Sequence, residues 1–68
     1  MTNTRLLRDK IEESGKKRAH LAAKLGVSRA SFYNLCSGKT QFRTEQVKIL
    51  CNELDIVDPL EKETIFFA

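Results

Sequence analysis

The sequence predicts an all-α fold of five short helices, on three observations. Apolar residues recur at the spacing of a 3.6-residue period rather than in long runs. Stop and start residues punctuate those stretches at Gly15, Gly26, Ser28, Gly38 and Asp58. The connections between them are short, with no repeat, low-complexity tract or Gly-rich linker, so residues 1–68 are expected to form one domain.

The first helix is placed at residues 4–14, where Leu7 and Ile11 stand at i and i+4 with Leu6 beside them and Gly15 as the stop. The second is expected over about 18–25. There Leu21, Ala22 and Leu25 share one side, and His20 and Lys24 fall away from it. Gly26 ends it, because the residue just past a helix commonly adopts a left-handed conformation that only Gly takes without steric cost. Val27 then supplies a buried anchor and Ser28 an N-cap for a third helix over about 28–37, closed by Gly38. Phe32, Leu35 and Cys36 form its apolar stripe, which leaves Arg29, Ala30, Tyr33, Asn34 and Ser37 facing outward. Ala22 is small where two helices joined by a tight turn must cross closely.

A fourth helix is expected at about 44–54, capped by Thr44 and burying Val47, Leu50, Cys51 and Leu54. Asp58, Pro59 and Glu61 are a second start signal, with Asp at the N-cap, Pro first in the helix and Glu third. That last helix has room for a turn or two, after which Ile65, Phe66 and Phe67 read as extended or partner-seeking.

Composition narrows the function classes. A chain of 68 residues buries only about 60% of its unfolded surface, and a separate catalytic, effector-binding or oligomerisation domain is not expected within it. The N-terminus has no apolar leader and the apolar runs are a few residues long, so the expected compartment is the cytoplasm. Through Lys48 the chain carries eleven basic residues against four acidic ones, and from Ile49 onward one against five. Such an asymmetry suits a basic surface for a polyanion and an acidic end kept away from it.

Other chemistries fail on spacing. Gly38-Lys39-Thr40 looks like the end of a phosphate-binding loop, yet the Gly required five positions earlier is Tyr33 and the preceding segment is helical. Cys36 and Cys51 lack CxxC spacing and fit reduced core thiols rather than a disulfide. With His20 they make three potential zinc ligands rather than four. No Ser or Cys is placed to work with His20 as a nucleophile, so neither an enzyme nor a cofactor is expected.

Residues 18–37, RAHLAAKLGVSRASFYNLCS, resemble the helix-turn-helix of the Cro and CI repressor family, also called the xenobiotic-response-element family. The resemblance rests on Leu21, Ala22, Leu25, Gly26, Val27, Ser28, Phe32, Leu35 and Gly38, and it covers roughly residues 3–55. It implies a lambda-repressor-like fold whose third helix enters the major groove. Arg29, Ala30 and Asn34 would then face base edges, with Ser31 and Tyr33 at the margin. Arg29 can clamp guanine O6 and N7, Asn34 can pair with adenine N6 and N7, and Ala30 can touch a thymine methyl. The same resemblance assigns phosphate contacts to Lys17, Arg18 and Ser28 and to Lys39, Thr40 and Gln41 after the third helix. It also makes Phe42 a core plug, since relatives usually bury an apolar side chain there. Where some relatives join helices one and three with a buried Arg and Glu pair, this chain has Ile11 and Cys36, which avoids the cost of burying charge.

The resemblance implies a small repressor of phage or prophage Cro type in a bacterial host, associated with the nucleoid. It would bind a palindromic DNA operator as a homodimer and occlude RNA polymerase, with no small-molecule effector. The alternative is a protein-interaction module on the same fold, such as an antitoxin or antirepressor that binds a protein through its third helix. The expected dimer contact is the acidic end, residues 58–68, where Leu60, Ile65, Phe66 and Phe67 carry more apolar surface than a free tail needs. The competing expectation is that Ile65 and one phenylalanine close the monomer core.

Overall fold

Side-chain caps and left-handed turns set most helix boundaries in the computed structural model, which describes residues 1–67. The elements are α1 (Thr4–Ser14), α2 (Arg18–Leu25), α3 (Arg29–Cys36), α4 (Thr44–Glu53) and α5 (Pro59–Phe66), with no strand among the described residues. The side chains of Asn3, Ser28 and Asp58 accept hydrogen bonds from the first-turn amides of Leu6, Ser31 and Leu60 at 3.2, 3.1 and 3.0 Å. Each such cap satisfies a donor that the helix itself cannot, which is worth about 0.5–2 kcal/mol.

The turn between α2 and α3 follows from Gly26, whose φ of 72° lets the Val27 amide reach back to the Ala22 carbonyl at 3.1 Å. Gly38 does the same for α3 at φ 85°, with the Lys39 amide donating to the Asn34 carbonyl at 3.0 Å. At the end of α4 the left-handed position falls on Asp55, φ 56°, and the Ile56 amide returns to the Cys51 carbonyl at 2.8 Å.

Leu7, Ile11, Leu21, Ala22, Phe32, Val47 and Leu50 are almost completely buried and bring α1 to α4 around one core. α2 packs on α3 and α4, and α1 packs on α3 and α5. Ala22 lies inside the α2–α3 corner, as its size requires. Phe42, in the loop after α3, is half-buried and meets the Phe66 ring edge to face at 5.3 Å and 83°.

Two boundaries differ from expectation. The N-cap of α4 is Arg43 rather than Thr44; its amide donates to Gln46 Oε1 at 2.8 Å, half of a capping box built without a Ser or Thr. Residues 65–67 are not an extended tail. α5 continues through Phe66, and its Ile65 carbonyl accepts the Asn3 amide at 2.6 Å, tying the helix to the start of α1. Lys10 Nζ and a Glu61 oxygen, 2.8 Å apart, hold the same two helices together.

Candidate nucleic-acid interface

Burying Phe32 and Leu35 fixes the rotation of α3 and turns its other face to solvent. Arg29, Ala30, Ser31 and Tyr33 are exposed there, Tyr33 at 69%, and Asn34 is half-buried beside them. The Asn34 backbone is also the anchor of the following loop, since its carbonyl accepts from the Lys39 and Thr40 amides and from Ser37 Oγ. Lys39, Thr40 and Gln41 are thereby carried just beyond the end of α3, all three exposed. Ser28 is exposed too, with its oxygen accepting the Ser31 amide and its hydroxyl proton left to donate elsewhere.

Lys17 and Arg18 stand exposed at the N-terminus of α2. Lys17 is the N-cap and has no side-chain acceptor, so the first amides of this helix lack the cap that α1, α3 and α5 have. A helix start of that kind, with the positive end of its dipole and two cations, attracts an anion.

The ion pairs among the described residues fall elsewhere. Lys10 pairs with Glu13 and Glu61, and Lys16 and His20 share Glu53. Lys17, Arg18, Arg29 and Lys39 have no carboxylate within 4.0 Å among the described residues, so their charge faces outward without a protein counter-ion.

A two-helix corner with a glycine-closed turn, a capped second helix and a basic rim is the arrangement of a DNA-reading module. A known protein family, the helix-turn-helix domain, matches residues 4–63. The chain belongs to the helix-turn-helix domain family. No curated protein and no solved structure matches it. Helix-turn-helix domains of this family are regulatory DNA-binding modules rather than catalysts, and the chain is accordingly not an enzyme. No helix among the described residues is long and apolar enough to cross a membrane.

The helix-turn-helix face extends beyond the residues that spacing singled out. Ser31, Asn34, Thr40 and Gln41 share an open groove of about 840 Å³ with Arg43 and Gln46, so the start of α4 forms its far wall. Arg43 carries no motif signal; only the fold of the 37–43 loop brings it there. On the other flank Arg5 and Arg8 of α1 line a second pocket with Tyr33 and Ser37. Their i, i+3 spacing is a sequence signal for a shared face but not for what that face meets.

The dimer contact expected at residues 58–68 needs correction. Ile65 and Phe66 are 1% and 3% exposed and belong to the monomer core, because a domain this small needs their apolar surface to close it. Leu60 and Phe67 remain exposed, at 73% and 57%, and Ala68 lies outside the described residues.

Cys36 is half-buried against the core and Cys51 is buried, both as free thiols. Burial pushes the Cys36 thiol up to about 11, against the opposing pull of the Arg18 charge, and burial likewise raises Cys51. Both are therefore protonated near neutral pH, unsuited to attack or to metal binding.

Proposed function

We propose that this helix-turn-helix domain is a sequence-specific transcriptional repressor of Cro type that binds a palindromic DNA operator as a homodimer. The observation that carries the reading is the exposed polar face of α3, Arg29, Ala30 and Ser31 with Asn34 half-buried beside them, bordered by cations without protein counter-ions. Arg29 and Asn34 have the donor sets to read guanine and adenine, Ala30 suits a thymine methyl, and Ser31 and Tyr33 border them. Lys17, Arg18, Ser28, Lys39, Thr40 and Gln41 would hold the phosphates on either side.

Size argues for two copies. The Cα framework measures 28 × 23 × 21 Å, less than the roughly 34 Å between half-sites one helical turn apart. Leu60 and Phe67 stand seven residues apart, about two turns, on the side of α5 away from Ile65 and Phe66. With Val57, 88% exposed in the preceding loop, they are the exposed apolar side chains of this end of the chain that a partner copy could cover. Repression would follow from occluding polymerase, in the cytoplasm of a bacterial host.

Footprinting on the DNA next to the chain's own gene tests the reading. The expected result is protection of two half-sites whose centres lie 10 to 11 base pairs apart, or one further turn. Failure to bind any duplex at low salt would favour instead a protein-interaction role for α3.

A further inference from the structure

We propose that the pocket between α1 and α3 seats a phosphate of the DNA backbone, with Arg5 and Arg8 as additional contacts outside the helix-turn-helix. The inference rests on the DNA-binding reading above and names what one flank of that site takes. The pocket has a volume of about 490 Å³, room for a phosphodiester with its flanking sugar. Arg5 and Arg8 from α1 and Arg18 from the start of α2 line it, and Tyr33 of α3 and Ser37 just past that helix complete the wall. Ile11 and Cys36 also line it, and neither brings a negative charge to it.

Three observations select an anion. No carboxylate lines the pocket, and none lies within 4.0 Å of the three guanidiniums among the described residues. A bound anion would give these three like charges the counter-ion they lack. The donors are also of the right kind, since guanidinium forks match phosphate oxygens bidentately and the Tyr33 hydroxyl can add a third bond. Arg18 also opens α2, whose first amides Lys17 leaves without a side-chain cap, at the end of a helix that favours an anion.

Continuity with α3 selects DNA as the source of the phosphate. Arg29, Tyr33 and Ser37 follow one another at a spacing of four, so the pocket lies on the same outward stripe as the base-reading residues.

The test measures binding of the full chain to a random-sequence duplex across a salt series, for wild type, Arg5→Gln, Arg8→Gln and Lys62→Gln on α5 as a control of equal charge. Each pocket variant should bind more weakly and lose about 1 from the log-log salt slope, and Lys62→Gln should match wild type. Arg5→Lys and Arg8→Lys, which keep the charge, should restore the slope, and circular dichroism checks that each variant folds. Wild-type binding with unchanged slopes in both Gln variants overturns the pocket proposal alone, whereas a wild type that binds no duplex removes the DNA reading beneath it. In a parallel titration with inorganic phosphate, shifts of the Tyr33 and Ser37 amides alongside undiminished duplex binding by both Gln variants would reassign the pocket to a free phosphate. That result too would overturn the proposal.

Discussion

Arg29 and Glu53 show how differently single charged residues act in this domain. Arg29 is exposed with no carboxylate partner among the described residues, so its removal costs the fold little. Arg29→Ala should weaken binding to the cognate site by about 1–3 kcal/mol and barely change binding to random duplex, as competition titrations would read. Equal losses on both would place Arg29 on the phosphates. Glu53 is a structural charge instead. Its Oε1 accepts from Lys16 Nζ at 3.2 Å and lies 3.3 Å from His20 Nε2, while Lys16 also donates to the Glu53 carbonyl at 2.6 Å. The Lys16 hydrogen bond, with help from His20, holds this carboxyl below its ordinary range despite opposing desolvation. A depressed folded value means stability present above the ordinary carboxylate range and lost as pH falls through the folded one. Melting temperatures of wild type and Glu53→Gln should therefore differ most near neutrality and converge toward about pH 2. A difference independent of pH would show that the carboxylate charge is not what matters.

Among the elements, the α2–α3 corner makes the sharpest demand on one residue. Gly26 sits at φ 72°, and an added Cβ would find no heavy atom within 4 Å, so substitution is opposed by backbone strain alone. Gly26→Ala should cost about 1–2 kcal/mol in denaturant unfolding and Gly26→Asn less, because Asn tolerates the left-handed region. A larger loss for Asn would point to crowding instead. This corner could be read from residue order because its determinants are local: a glycine stop, a serine cap and an apolar stripe a few residues long. The end of the chain could not. Ile65 and Phe66 look the same in sequence whether they meet the core or a partner, and only the packing of α5 on α1 and the Phe42 ring decides it. Arg43 has no side-chain oxygen to mark it as an N-cap, and only Gln46 Oε1 reaching back to its amide, the reciprocal half of a capping box, gives it that place. Arg5 and Arg8 were visible as charges, but the pocket they line exists only once α1 lies across α3.

At the scale of the whole molecule, the two adjacent phenylalanines have opposite tasks. A domain of 68 residues is stable by only about 3–10 kcal/mol. Phe66→Ala, at a core position, should cost about 3–5 kcal/mol and most of the cooperative melt. Phe67→Ala should leave the melt within about 0.5 kcal/mol of wild type, and paired with Leu60→Ser it should weaken self-association in sedimentation. A double variant that dimerises like wild type would remove α5 from the interface. The contact between the Asn3 amide and the Ile65 carbonyl joins opposite ends of the chain. Closing so large a loop has an entropic cost that the neighbouring contacts of α2 and α3 do not incur. The reading helix and its turn can therefore form early, with α5 docking last and detaching first. In native-state hydrogen exchange the Asn3 amide would then report the release of α5, trading its proton well before amides of α2 such as Leu21.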